Sequence, residues 1–309
     1  MNTNQPAIFT KAGRFVASTL LLLQLVTSVH AQNSTNFQAA QAAADKGDAK
    51  AQYEVAGYYA KGGSGVPRDY AKAAQYLRQA ADQGYPEAQV ALGSWYGRGR
   101  GVPRNVATAV SWYRKAADQG YALAQYAMGN FYATGRGVTN DLGEAIKWWQ
   151  KAAAQNQMDA EAALGQLYLL PQAPYGTNYL NYAEADRWLQ QAAAQGSVRA
   201  MNNLGVAYEN GFGLERDFKE AARWYRAAAD QGDALAQANL GQLYLDGRGV
   251  ACDLVQSYKW FKLSASQGNN LGTMGFSNFQ THQLLTPKQL ADAEQMVLDY
   301  RPQPFKNQP

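Results

Sequence analysis

The sequence keeps returning to one phrase. "AADQG" ends at Gly84 and again at Gly120, "AAAQN" at Asn156, "AAAQG" at Gly196, "AADQG" at Gly232 and "SASQG" at Gly268. The steps are 36, 36, 40, 36 and 36 residues, and an earlier "AADKG" ending at Gly47 adds a step of 37. A fixed period in this range is the signature of a solenoid, because a unit this small cannot bury its own apolar face and must stack on its neighbours.

Each period reads as two helices. The first carries a small residue, an apolar residue four later and an aromatic eight later: Ala88, Leu92, Tyr96; Ala124, Met128, Tyr132; Ala160, Leu164, Tyr168; Ala200, Leu204, Tyr208; Ala236, Leu240, Tyr244. Steps of four hold these on one helix face. Gly93, Gly129, Gly165, Gly205 or Gly241 follows the apolar residue. A glycine inside a helix costs about 1 kcal/mol relative to alanine, so its return predicts close approach by a neighbouring helix.

The second helix is predicted to start at Asp69, Asn105, Asp141, Asn181, Asp217 or Asp253, each an acceptable N-cap. Glu144, Glu184, Glu220 and Gln256 stand three positions on, as the partner in a capping box would. Seven and eight positions after the cap come Tyr76 and Leu77, Trp112 and Tyr113, Trp148 and Trp149, Trp188 and Leu189, Trp224 and Tyr225, Trp260 and Phe261. With the flanking alanines they form an apolar stripe at helical spacing, and these rings are expected to be the core.

Between the paired helices lie glycine-rich loops, of which "GSWYGRGRGVPRN" (93–105) leads into the densest. Glycine persists from unit to unit and arginine does not, since Ser64 and Phe212 replace Arg100, Arg136 and Arg248. No P-loop pattern is present, and the dinucleotide fingerprint fails where Arg104 and Arg216 occupy its third glycine. These loops therefore read as turns. Gly99, Gly135, Gly211 and Gly247 are expected to end the first helix in a left-handed conformation.

The chain opens with Lys11 and Arg14, then "FVASTLLLLQLV" (15–26) and small residues up to Ala31. This predicts a secretory signal peptide over 1–31, the apolar run being shorter than the ~20 residues of a bilayer span. Localisation is then periplasmic or secreted, with no membrane anchor after cleavage. Removing Lys11 and Arg14 from the 28 basic residues leaves 26 against 24 acidic ones, a balance that argues against nucleic acid as a partner. Cys252 has no cysteine to pair with, and His282 is the one histidine beyond the leader. No cofactor and no metal are expected.

The unit "A-x-x-x-L-G-x-x-Y…G-x-G-V-x-x-D…A-x-x-W-Y-x-x-A-A-x-Q-G" resembles the Sel-like repeat, a slightly longer relative of the tetratricopeptide repeat. "ALAQYAMGNFYATGRGVTNDLGEAIKWWQKAAAQN" and "ALAQANLGQLYLDGRGVACDLVQSYKWFKLSASQG" carry the pattern almost position for position. The resemblance implies an all-α fold, a right-handed α-solenoid of helix-turn-helix repeats of about 36 residues, whose concave surface binds proteins or peptides. The organisation predicted is a partial repeat helix over 32–48, six repeats over 49–268, a linker and capping helix over 269–300, and a disordered tail over 301–309. The first unit departs from the pattern with Val55 and Ala56 in place of leucine and glycine. The fourth carries a four-residue insertion within Leu169 to Asn181.

On the first helix, offsets two, three and six from the small residue point away from the packed face. In tetratricopeptide-like stacks that face lines the concave groove, and here it holds Tyr53, Tyr126, Asn130, Gln166, Asn202, Asn203, Asn239 and Gln242. Amide side chains donate and accept, so they can pair with the backbone of an extended peptide. The function expected is a non-catalytic, monomeric interaction scaffold or adaptor of the cell envelope, binding a protein or peptide. The alternatives are a cell-wall or β-lactam hydrolase, or a regulator of a peptidoglycan-cleaving enzyme. Against the hydrolase, neither S-x-x-K nor G-x-S-x-G occurs.

Overall fold

The computed structural model describes residues 36–63, 65–170 and 178–303. The predicted signal peptide (1–31), the middle of the fourth-unit insertion (171–177) and the last residues of the predicted tail (304–309) lie outside them. The described residues are helical, with one isolated bridge between Gly63 and Val66 and no strand. They fall into two compact units, one reaching Ala145 and the other starting at Ile146.

A helix over 36–45 (α1) precedes α2 (Ala49–Lys61), α3 (Tyr70–Asp82), α4 (Pro86–Arg98), α5 (Val106–Asp118) and α6 (Ala122–Thr134). The unit boundary falls within α7 (Leu142–Ala153). Then come α8 (Met158–Leu169), α9 (Tyr182–Ala194), α10 (Val198–Asn210), α11 (Phe218–Asp230), α12 (Ala234–Asp246), α13 (Leu254–Ser266), α14 (Asn270–His282) and α15 (Pro287–Asp299). Even-numbered helices from α2 to α12 are the first helices of the repeats, and odd-numbered ones from α3 to α13 are the second.

Capping fixes where the second helices begin. Asp69, Asn105, Asp141, Asn181, Asp217 and Asp253 each accept a hydrogen bond from the backbone amide three residues on, at 2.9 to 3.2 Å. The capping-box expectation needs correction at Glu184, Glu220 and Gln256. Glu184 instead accepts from Arg187 and Glu220 from Arg223, each at 2.7 Å, while the Gln256 carbonyl is buried without a donor. The arginine three residues on lies on the same helix face and competes for the carboxylate. The reciprocal box does form at α15, between Thr286 and Gln289.

The core is the seam between neighbouring helices. In the first unit Ala73, Leu77, Ala80, Ala88, Leu92, Trp95 and Trp112 pack together, and in the second Leu189, Ala192, Ala200, Leu204, Tyr225, Ala228, Leu240 and Trp260 do so. The predicted stripe residues are all buried or half-buried. The helical glycines make the seam tight. A methyl group on Gly205 would stand 2.5 Å from the Tyr225 ring, and one on Gly93 would stand 2.9 Å from Tyr113. The helix-breaking residue is thus retained because the paired helix lays a ring against it.

In the loops, Gly99, Gly135, Gly211 and Gly247 cap the first helices in the left-handed conformation. The second loop glycine does more than turn the chain. At Gly249, φ is 69°, and a side chain would run into the backbone carbonyl of Phe218 at the start of the preceding second helix. The loop therefore docks against its neighbour by backbone contact.

The C-terminal region corrects the sequence reading in two places. Residues expected to form a linker after Gly268 contain α14, a further first helix with Phe279 and Gly272 buried. Its partner α15 packs on α13 through Ala293, while Leu290 is 40% exposed. The stretch from 301, expected to be disordered, begins with docked residues. Tyr300 donates to the Ala229 carbonyl at 2.7 Å, its ring meets Trp260 edge-on, and the Gln303 amide donates to the Asp230 carbonyl at 2.7 Å.

Candidate functional site

Two sets of polar side chains run along the repeats with opposite roles. The first is a buried amide ladder. Gln52, Gln89, Gln125 and Gln237, each directly after the small residue of a first helix, donate to the carbonyls of Ala44, Ala81, Ala117 and Ala229 on the preceding helix at 3.1 to 3.3 Å. Gln83, Gln119 and Gln267, at the ends of second helices, donate in turn to Gln52, Gln89 and Gln237 at 2.7 to 2.9 Å. Each link gives a second donor to a helix-end carbonyl that already accepts the amide of the following turn glycine, and so ties one hairpin to the next. In the fourth repeat the ladder residue is Glu161, 1% exposed, which accepts from Gln195 at 2.6 Å. Burial raises the pKa of its carboxyl above the ordinary carboxylate range.

A second recurring pair ties aromatic offset eight to the preceding helix. Arg78 donates to the Tyr96 hydroxyl, Arg114 to Tyr132 and Arg226 to Tyr244. Tyr225, in the seam, donates to Glu209 at 2.7 Å, and Glu209 also faces Arg248 at 3.4 Å. Burial, then the neighbouring Glu209 carboxylate, drives the pKa of the Tyr225 hydroxyl well above its ordinary value. Asp230 is likewise pushed up by burial, under the docked C-terminal arm. The arginine–tyrosine pairs and the Tyr225–Glu209 bond hold helices together.

The other set is the free face of the first helices, where the predicted site residues fall unequally. Tyr53, Tyr126, Asn130, Gln166 and Asn239 are half-buried and Gln242 is exposed. The Tyr53 ring packs 5.5 Å from that of Tyr85, and Gln242 donates to Asp246 on its own helix at 2.9 Å. Asn202 and Asn203 do not lie on an open surface, being 4% and 5% exposed. Asn202 accepts from Asn239 at 3.1 Å, and the Asn203 amide nitrogen is buried without an acceptor. Offset arithmetic places them on the free face, but on α10 the neighbouring first helices close over that face.

The same face carries apolar residues not singled out from the sequence. Leu123 is 44% exposed, Leu235 39%, Leu271 50% and Met274 69%. Leu123 lies three residues before Tyr126 and Leu235 four before Asn239, so each stands one helical turn away on the same side. Their signal was present in the sequence, as the leucine of the recurring "ALAQ". Cys252 is exposed in the last loop, where its β-carbon rests 3.3 Å from the position a side chain on Gly247 would take; Arg104 and Arg216 hold the same place against Gly99 and Gly211. Among the described residues no group of His, Cys, Asp and Glu could hold a metal ion, and no helix is long and apolar enough to cross a membrane.

Stacked hairpins with a sealed seam and a partly exposed first-helix face define a repeat protein of the interaction-scaffold type. The model of the Sel1 repeat matches six consecutive segments, 49–85, 86–121, 122–157, 159–197, 198–233 and 234–269, and the chain belongs to that family. Among solved structures, the chain is similar to c5321, described as a protective antigen present in uropathogenic Escherichia coli strains and displaying an SLR fold, at 34% identity and a TM-score of 0.71. That match covers 85% of this chain and 56% of the antigen, so the chain spans little over half of that relative's length. A Sel1 repeat protein from Oxalobacter formigenes is 33% identical with a TM-score of 0.64, over 76% of this chain and 94% of that one. No curated protein matches the chain.

Proposed function

We propose that the chain is a non-catalytic adaptor of the cell envelope that captures a protein or peptide on the free face of its first helices. The observation that carries this reading is the composition of that face: on α6 the exposed Leu123 stands one turn from Tyr126, and on α12 the exposed Leu235 stands one turn from Asn239 and two from Gln242. Apolar anchors give contact area, and amides beside them pair with a partner's backbone. The chain's leader-like N-terminus supports export to the periplasm or beyond. A regulator of a wall-cutting enzyme is the same reading with a named kind of partner. The buried Glu161 carboxyl accepts from Gln195 within the amide ladder, which supports a structural role for it.

The test is a triple substitution of Tyr126, Asn239 and Gln242 to alanine in the purified chain, followed by chemical crosslinking in an envelope extract. Tyr126 and Gln242 are not core residues, while Asn239→Ala strands the buried Asn202 carbonyl, so the melting temperature should fall only by the few degrees of one lost hydrogen bond while the crosslinked partner band is lost. A band of undiminished intensity would move the binding surface elsewhere on the molecule.

A further inference from the structure

The first repeat departs from the others at α2, and the departure opens a cavity of about 460 Å³, within the size range of small-ligand sites. Its lining includes Tyr53, Glu54, Gly57, Tyr58, Lys61, Leu77 and Trp95. The cause lies in the sequence. Gly57 occupies the offset-six position that Ser94, Asn130, Gln166 and Gln242 fill in other repeats, and a side chain built there would meet nothing within 4 Å. The missing side chain leaves a gap walled by aromatic rings.

The charges at the ends of this gap are opposite. Glu54 and Lys61 are both exposed, and neither has an ion-pair partner among the described residues. Seven residues apart, they stand on the same side of α2 about 10 Å apart along its axis, with Gly57 between them. The corresponding trios in the next two repeats are Ala91, Ser94, Arg98 and Ala127, Asn130, Thr134. Only in the first repeat do these three positions combine a carboxylate, a vacant centre and a cation.

We infer that this cavity binds a short free peptide of about three residues, with its N-terminal ammonium at Glu54, its C-terminal carboxylate at Lys61 and an apolar side chain over Gly57 against Trp95. An extended tripeptide spans about 10 Å, the distance along α2 between the backbone positions of Glu54 and Lys61. Charge-assisted contacts at both ends would select free termini over an internal stretch of a longer chain. The inference takes its ligand class from the peptide-binding reading above and shares Tyr53 with that face, but Glu54, Gly57, Lys61 and Trp95 belong to the cavity alone.

The test is calorimetric titration of the full chain with Ala-Leu-Ala, compared with the same peptide acetylated and amidated. The expected result is saturable binding of the free peptide, about tenfold weaker for each blocked terminus. Glu54→Gln should abolish the penalty for acetylation and Lys61→Met that for amidation. Gly57→Leu should fill the cavity and eliminate binding with no loss of melting temperature, since open space surrounds the site. Equal affinity for free and blocked peptides, binding undiminished by Gly57→Leu, or no saturable binding at millimolar peptide would overturn the inference. Loss of the tripeptide by a Gly57→Leu chain that still captures a partner protein would support the cavity and leave the adaptor reading intact. Failure of the parent chain to bind any free tripeptide would overturn the cavity alone.

Discussion

Glu161→Gln should make this protein more stable, and the amide ladder says by how much. At the equivalent positions Gln52, Gln89, Gln125 and Gln237 donate to a helix-end carbonyl, and three of them are seen to accept from the next glutamine. Glu161 accepts from Gln195 but, when ionised, has no proton to give the Ala153 carbonyl that lies at the matching register. Restoring the donor adds one net hydrogen bond, about 0.5–1.5 kcal/mol, and removes a buried charge. We expect a gain of about 1–2 kcal/mol at neutral pH, or roughly 2–8 °C in Tm for a chain of this size. The gain must depend on pH. Burial raises the folded-state pKa of Glu161 above its unfolded value, so its contribution is fully present below the unfolded pKa and is lost as pH rises through the folded one. The variant's advantage should vanish near pH 4, where the protonated carboxyl can itself donate, and grow toward pH 7.5. Thermal unfolding followed by circular dichroism at 222 nm from pH 4 to 8 reads this directly. A variant no more stable than the parent at pH 7.5, or a difference flat across pH, would refute the ladder argument.

Gly205→Val should destabilise by about 1–3 kcal/mol, because the new methyl groups meet the Tyr225 ring; urea unfolding measures the loss. Asp217→Ala removes a cap that serves the amides of Lys219 and Glu220, and should cost about 1 kcal/mol in the same assay. Trp260→Ala should cost about 3–5 kcal/mol, since the ring is fully buried. It should also release the C-terminal arm held by Tyr300, which proteolysis at Arg301 would reveal.

The repeat unit was legible because stacking imposes the same demand on every copy. A small residue must meet a ring, so Gly93 and Tyr113, or Gly205 and Tyr225, recur in step. What escaped notice had a different physical basis. The ladder glutamines recur as regularly, within the quoted "AADQG" itself, yet a polar residue at fixed period reads as solvated until a helix-end carbonyl is found beside it. Helix α14 escaped because Gly272 takes the alanine's place and Ser277 and Gln280 stand where the recurring glycine and aromatic mark other first helices. Its glycines accept atoms of Ser264 and Phe261 from α13 at close range. The free face was half legible. Angular position on an isolated helix found Tyr126 and Gln242, but it could not show that neighbouring helices close over Asn202 and Asn203. Leu123 and Leu235 were overlooked because an exposed leucine carries no signal until its neighbours are known.

The most direct test of the central claim is site-specific photocrosslinking, with benzoylphenylalanine placed at Gln242 on the first-helix face or at Lys219 on the second helix α11, both exposed. The account predicts that the probe at Gln242 yields a discrete partner adduct in an envelope extract and the probe at Lys219 yields none. Adducts from Lys219 alone, or equally from both positions, would contradict it.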